Sequence, residues 1–276
     1  MKKYALIGNP VNHSLSPLMH KKWFSHYKLD ASYQAVQVSP GRLRQAVERL
    51  VQSGISGFNV TVPYKQEIMP LLDQIDEEAL AVGAVNTVVC EGSSLVGYNT
   101  DGIGFLKSIK KVFNVQTTGN SEVLVLGAGG AARGIAIPLA RNFSKVDIAD
   151  RTLTRAAQLS KMCRSLCCSE AKSLTEAENT LNGYGLIVNA TSLGLSETDP
   201  SIIDVRGAKK EALFADLIYR PFRTAFLKQA ERFGHPVMNG LPMLVFQGAA
   251  AFEKWTGISP EVSGMELFLR KWISNG

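Results

Sequence analysis

Hydrophobic and polar positions alternate in two different rhythms along this chain, one suited to strands and one to helices. Residues 2–8 (KKYALIG) carry a short apolar run closed by the turn cluster Gly8-Asn9-Pro10, a strand signal. Pro17 opens a helix expected to run to about residue 28, with Ser16 in the N-cap position that serine favours. Residues 31–38 (ASYQAVQV) alternate and read as a second strand. The next stretch sets Leu43, Val47, Leu50 and Val51 on one helical face, with Ser39 as N-cap and Gly54 as stop. Residues 56–65 (SGFNVTVPYK) form a third strand, which Pro63 ends because it cannot continue a central ladder. A helix is expected over residues 66–82, a strand over 83–89, then a hairpin-like turn at Glu91-Gly92-Ser93 leading to LVGYNTDG. Such alternation of strand and helix argues a mostly parallel sheet.

A helix from about Gly102 to Phe113 leads out of this unit, and residues 115–121 (VQTTGNS) read as a polar loop. The domain boundary falls near Gly102. Residues 122–140 (EVLVLGAGGAARGIAIPLA) then read as strand, glycine turn and helix, followed by a strand in KVDIADRT ending on Asp150 and Arg151. An amphipathic helix is expected over 152–168, and strands over 186–194, 212–219 and 235–240. Helices over about 241–255 and 259–274 close the chain.

Composition narrows the class. The 276 residues are 45% hydrophobic and 20% charged, the balance of a globular protein long enough for two domains. The apolar run after Lys2-Lys3 is too short for a signal peptide, and no run is long enough to span a bilayer, so a cytoplasmic protein without membrane partners is expected. A net charge of +6 is dispersed, with no basic stripe interleaved with aromatics, which argues against nucleic acid and mildly favours small anions. Cys90, Cys163, Cys167 and Cys168 include no C-x-x-C pair, and no histidine stands at ligand spacing, so reduced packing thiols and no metal are expected.

The chemistry concentrates in a few places. Gly127, Gly129 and Gly130 follow four apolar residues and precede a helix, the arrangement that lets a pyrophosphate reach a helix N-terminus. Dinucleotide binding is therefore expected. At the end of the next strand an acid would read the ribose of NAD, and an arginine would take the 2′-phosphate of NADP. The chain has Asp150, Arg151 and Arg155; two guanidiniums able to fork a phosphate outweigh one carboxylate and favour NADP. Asn59 and Thr61 share a strand face, and Lys65 lies just past that strand's C-terminal end. Two readings of Lys65 stand: a solvated lysine beside an edge strand, or an acid–base group paired with Asp101 of YNTDG. Asp101 in turn suits an Asx-turn or N-cap equally well. Ser14 and Ser16 at a strand-to-helix junction suit either capping or an anion site, and Asn86, on an apolar strand, needs a partner if buried.

Together the stretches GNPVNHSLSP, NVTVPYK, GAVNT, NTDG, NATSLG and GLPMLVFQGAAAFEKWTG closely resemble the bacterial shikimate dehydrogenase family, in order and over essentially the whole chain. The resemblance implies a two-domain α/β fold. Residues 1–102 and 241–276 would form a discontinuous substrate domain, and 103–240 a Rossmann-type NADP domain. It implies reversible reduction of 3-dehydroshikimate to shikimate with NADPH, in aromatic amino acid biosynthesis. Ser14 and Ser16 would hold the substrate carboxylate, and Asn59, Thr61, Asn86 and Gln247 the ring hydroxyls, with Tyr219 also in contact. Lys65 and Asp101 would be the catalytic pair. Gly127, Ala128, Gly129, Gly130 and Ala131, with Asp150, Arg151, Thr152 and Arg155, would bind the cofactor, Leu217 and Gly240 would lie near the nicotinamide, and Glu77 at the cofactor's edge. Three departures stand out: Asp150 where the family usually has Asn, Pro242 in the loop near the nicotinamide, and Leu217 where Met is frequent. Asp150 keeps an NAD-preferring quinate/shikimate dehydrogenase as the alternative, and a non-catalytic dinucleotide-binding regulator is a more distant one. Monomer and homodimer both stay open.

Overall fold

The computed structural model describes residues 1–92, 94–110, 112 and 122–275. Ser93 of the expected turn, the expected helix end at Phe113 and the polar loop over 115–121 lie outside the described residues. The chain divides into two compact units, Met1–Gly104 with Leu244–Gly276, and Phe105–Met243. In chain order the first unit carries β1 (Lys2–Gly8), α1 (Ser16–His26), β2 (Ala31–Gln37), α2 (Leu43–Gln52), β3 (Gly57–Val60), β4 (Gln74–Ile75), α3 (Glu77–Val82), β5 (Thr87–Glu91), β6 (Ser94–Tyr98) and the start of α4 (Asp101–Ile109). The second carries β7 (Glu122–Leu126), α5 (Gly130–Ala140), β8 (Val146–Ala149), α6 (Leu153–Cys163), β9 (Ala171–Lys172), α7 (Leu174–Glu178), β10 (Tyr184–Asn189), β11 (Leu213–Asp216), α8 (Ala225–Arg232) and β12 (Val237–Met238). The chain then re-enters the first unit through α9 (Leu241–Thr256) and α10 (Met265–Asn275). No described helix is long and apolar enough to cross a membrane.

The first sheet runs β2-β1-β3-β5-β6-β4. β1 pairs in parallel with β2 and β3, and β4 with β6, whereas β5 is antiparallel to both its neighbours. β3 is thus an interior strand, which removes the reading of Lys65 as a solvated lysine beside an edge strand, and it ends at Val60 with Thr61 just beyond. The reversal of β5 has a geometric consequence. It brings the start of β5 to the edge where β3 and β6 end, with Asn59 opposite Thr87 and Thr87 opposite Tyr98.

One apolar cluster of this unit gathers Ile7, Phe58, Val60, Tyr64, Ile68, Val85 and Val88 with the inner face of α2. Tyr4, Trp23, Phe24, Tyr33, Phe252 and Trp255 form an aromatic group around His20. Trp255 of α9 donates to the Val88 carbonyl at 2.9 Å. Gly57 makes room for it, since a Cβ there would stand 2.6 Å from Trp255 Cδ1.

The second sheet runs β12-β11-β10-β7-β8-β9, and every pairing is parallel. Read from β9 this is the doubly wound order whose switch point lies between β7 and β10, and the glycine turn follows β7. Strands β7, β8, β10 and β11, buried throughout except at Glu122, explain the near-continuous apolar runs.

Several expected elements come out differently. The helix over 66–82 does not form as one piece: Pro70 falls in a short 3₁₀ turn at Met69–Leu71, β4 follows, and only α3 is helical, capped by Asp76 and stopped by left-handed Gly83. Neither Ser16 nor Ser39 caps a helix; Ser16 is already in the first turn of α1, and the Ser14 hydroxyl accepts its N–H at 3.2 Å. α8 has no counterpart among the expected elements; it is amphipathic and capped by Thr224. α10 starts only at Met265, six residues after the expected start at Ser259.

Candidate active site

The polar cluster at the C-terminal edge of the first sheet is assembled by direct hydrogen bonds. Lys65 follows the Pro63 turn, and its Nζ lies 2.6 Å from Asp101 Oδ2. The side chains are 12% and 4% exposed, so this pair is largely removed from water. A pair so dry is tolerated only where the remaining lone pairs are satisfied. Asp101 Oδ1 accepts from Asn86 Nδ2 at 2.8 Å. Its position at the start of α4 also favours a carboxylate, because unpaired N–H groups and the helix dipole meet there. Asn99 accepts the Asp101 N–H at 3.0 Å, which fixes the turn. The Asx-turn belongs to Asn99, leaving the Asp101 carboxylate for Lys65.

Asn86 is buried and fully engaged. Its Oδ1 accepts from the Thr100 N–H at 2.8 Å and from the Thr87 hydroxyl at 2.9 Å, while Nδ2 donates to Thr100 Oγ1 at 3.0 Å besides Asp101. Asn59 is buried on β3 and donates to the Asn86 carbonyl and to Thr87 Oγ1, both at 3.1 Å; its Oδ1 accepts from Tyr33 Oη at 2.8 Å. One lone pair of Asn59 Oδ1 is left for a ligand. Thr61 is half-buried just past β3, and its N–H donates to the Ile7 carbonyl. Ser14 and Ser16 stand together at the α1 junction, and with Ser14 Oγ accepting the Ser16 N–H, the Ser14 hydroxyl proton is still available to donate. Gln247 is half-buried on α9 with Nε2 on the Leu244 carbonyl at 2.8 Å. Glu77 is exposed in the first turn of α3. Thr87, Thr100 and Tyr33 were not singled out in the sequence; threonine in a strand and tyrosine in an alternating run look like ordinary β formers.

In the second unit two sets of the predicted cofactor residues are in contact, Asp150 with Ala128 and Thr152, and Gly240 with Leu217. Gly127 has φ +111°, which disfavours any side chain, and a Cβ there would press on Thr191 Cγ2 at 2.9 Å. A Cβ on Gly129 would meet nothing within 4 Å, so the backbone here borders open space. The first-turn N–H groups of α5, which include Gly130 and Ala131, point out of the helix as the donors a pyrophosphate requires. The cradle fits a dinucleotide. The Asp150 carboxylate accepts the Ala128 N–H at 2.9 Å with one oxygen and the Thr152 N–H at 2.7 Å with the other. It therefore ties the glycine turn to the end of β8. Arg151 and Arg155 are exposed beside it. Gly240 donates to the Ile218 carbonyl at 3.0 Å and packs on the Leu217 backbone. Tyr219 is half-buried on the loop after β11.

That loop has an organiser missed in the sequence. Asp216 is buried and accepts from Asn189 Nδ2, the Ile218 N–H and the Thr224 hydroxyl. Burial pushes its carboxyl up to about 6 against these hydrogen bonds. Its only sequence signal was an acid ending an apolar strand.

Comparison with known proteins gives a consistent result. Residues 6–88 match the model of the shikimate dehydrogenase substrate-binding domain, 108–216 that of shikimate/quinate 5-dehydrogenase, and 240–266 that of the shikimate 5′-dehydrogenase C-terminal domain. A shikimate dehydrogenase (NADP(+)) of Geobacillus sp. (strain WCH70) is 43% identical over 267 residues, 96% of either chain. The crystal structure of shikimate dehydrogenase from Aquifex aeolicus superposes with a TM-score of 0.90 at 38% identity, covering 98% of both chains. The Thermus thermophilus shikimate 5-dehydrogenase in complex with NADP(H) and shikimate gives 0.86 at 36% identity, covering 98% of this chain and 99% of that one.

Proposed function

The chain belongs to the shikimate dehydrogenase family, and from that premise we propose how its residues divide the work of the reaction. The enzyme is an NADP-dependent oxidoreductase that interconverts 3-dehydroshikimate and shikimate in aromatic amino acid biosynthesis. Residues 1–102 with 241–276 take the substrate, and residues 103–240 the cofactor. The observation that carries the reading is the 2.6 Å Lys65–Asp101 pair in a nearly water-free setting.

When bound, NADPH supplies the hydride. Lys65 gives a proton from its ammonium to the substrate carbonyl oxygen, and in the reverse direction its amine removes the hydroxyl proton. Asp101 holds the ammonium in one orientation and balances its charge, with Oδ1 already satisfied by Asn86. Ser14 and Ser16 take the ring carboxylate at the start of α1, where hydroxyls add to helix-end N–H groups. Thr61, Asn59, Asn86 and Gln247 line the hydroxyl side. Gly127–Ala131 would cradle the pyrophosphate of the cofactor, Thr152 with the Arg151 and Arg155 guanidiniums would take the 2′-phosphate, and Leu217 and Gly240 would lie near the nicotinamide. Asp150 holds one backbone N–H on each oxygen and keeps acceptor capacity on both, so the preference for NADP over NAD rests on Arg151 and Arg155 and on the NADP(+)-dependent relatives.

Lys65→Ala tests the assignment. With NADP⁺ and shikimate, kcat is expected to fall roughly 10²–10⁴-fold, the usual share of a general acid–base group. The NADPH dissociation constant is expected to stay the same. A variant with wild-type kcat would remove Lys65 from the chemistry.

A further inference from the structure

Thr87 is 0% exposed on β5, and its hydroxyl is the junction between two buried amides. The directions of its two shorter side-chain hydrogen bonds, to Asn59 and Asn86, are forced. Asn86 Oδ1 must be an acceptor because the Thr100 backbone N–H can only donate to it, and Nδ2 must face the Asp101 carboxylate because that group only accepts. Asn59 Nδ2 is fixed in the same way by the Asn86 carbonyl. Thr87 must then accept from Asn59 at 3.1 Å and donate to Asn86 at 2.9 Å. Followed from the far end, Tyr33 O–H donates to Asn59, Asn59 to Thr87, Thr87 to Asn86, Asn86 to Asp101, and Asp101 receives Lys65. All the dipoles run head to tail toward the carboxylate.

From this we infer that Thr87 is a positioning residue for the reaction, joining Tyr33, Asn59 and Asn86 into one polarised chain that orients the Asp101 carboxylate toward Lys65. The inference rests on the assignment of Lys65 and Asp101 to the proton transfer. Aligned hydrogen bonds strengthen one another in a low-dielectric interior, so a chain ending on an anion stabilises that anion more than its last bond would alone. Among the described residues the Thr87 hydroxyl is the group that links the two side-chain amides, because it both accepts and donates. The backbone registers place it there: Asn59 is its cross-strand partner on β3 and Tyr98 its partner on β6, three residues before Asp101. Thr100 is not a substitute, since its hydroxyl meets Asn86 and lies 3.4 Å from Thr87.

Two substitutions separate hydrogen bonding from packing. Thr87→Val keeps the shape and removes the hydroxyl; Thr87→Ser keeps the hydroxyl and removes the methyl. Thr87→Val is expected to lower kcat roughly tenfold, the rate equivalent of about one lost hydrogen bond. The NADPH dissociation constant, read from cofactor fluorescence, stays at the wild-type value, and Thr87→Ser retains wild-type kcat. A Thr87→Val enzyme with wild-type kcat, or a Thr87→Ser enzyme as slow as Thr87→Val, overturns the inference. Should Thr87→Val not fold, Tyr33→Phe removes only the first O–H of the same chain and is expected to slow kcat by roughly twofold or more; unchanged turnover there also overturns it. Lys65→Ala measured alongside keeps the two levels apart. An inactive Lys65→Ala with an unaffected Thr87→Val refutes the chain alone, whereas an active Lys65→Ala refutes the parent assignment and this inference with it.

Discussion

His20 ties stability to pH in a way that can be measured. Its ring is fully buried on α1, stacked on Tyr33 at 4.6 Å and surrounded by Trp23, Phe24, Phe252 and Trp255. Neither ring nitrogen has a hydrogen-bond partner among the described residues. Burial alone lowers its pKa from 6.5 to about 3. The unfolded chain therefore takes up a proton on His20 near pH 6.5, while the folded chain takes it up only near pH 3. Between those values the unfolded state binds more protons, so stability falls as pH falls, by up to about 1.4 kcal/mol per pH unit. The full contribution is present above pH 6.5 and is lost as the pH drops toward 3.

From pH 7 to pH 5 the loss assigned to His20 comes to about 2 kcal/mol. His20→Leu has no proton to take up, and a neutral apolar side chain suits an aromatic cage better than an unpaired imidazole. The difference between the two proteins cancels every other titrating group. Urea unfolding at both pH values, followed by tryptophan fluorescence, reads the relevant unit, because Trp23, Trp255 and Trp272 all belong to the first unit. The stability of wild type is expected to drop by about 2 kcal/mol more than that of His20→Leu over this interval. Equal drops would mean that His20 is protonated in the folded protein, and the burial argument would fail.

Two further outcomes follow from the site. Ser16→Ala is expected to raise the KM for shikimate about tenfold or more with little change in kcat, because a carboxylate is held alike in ground and transition states; substrate-saturation curves that overlay wild type would leave Ser16 as a helix-start residue only. NADPH is expected to be preferred over NADH, and Arg155→Ala to lower kcat/KM for NADPH roughly 10–100-fold, as for a lost charge-assisted hydrogen bond, while sparing NADH. Equal losses with both cofactors would show that Arg155 does not meet the 2′-phosphate.

Much of this site was legible because polar residues inside apolar strands are conspicuous. Asn59 and Asn86 stand out against their neighbours, Lys65 follows a proline that had to end a strand, and Asp101, in a polar turn, is legible only beside them. The glycine turn was legible for a different reason, since its spacing serves one geometric need. Pro70 was equally visible, yet residues 66–82 were expected as one continuous helix, and the ring prevailed. Ser16 resembled a cap because Ser-Pro so often marks one, but the chain starts its helix at Ser16 itself and sets the Ser14 hydroxyl on the Ser16 N–H. Asp216 and Thr87 were illegible for a common reason: each owes its role to partners on other strands, Asn189 for one and Asn59 for the other.

What periodicity could not supply was the direction of β5. An all-parallel sheet sets strand ends side by side, so residues gathered at its C-terminal edge come from the loops that follow, as in the second unit, where Gly127, Asp150, Thr191 and Leu217 all lie past strand ends. In the first unit β5 runs against its neighbours, and the same edge receives the beginning of a strand. Asn86 and Thr87 thereby sit on regular or nearly regular backbone, with Thr87 paired across to Asn59 and Tyr98, and are less free to move than loop residues. A proton-transfer pair needs its supporting groups held to a fraction of an ångström, and a strand held on both sides gives that better than a loop. The antiparallel insertion is thus the structural reason that a lysine on a turn and an aspartate at a helix start are held together 2.6 Å apart, with Asn86 on the other carboxylate oxygen.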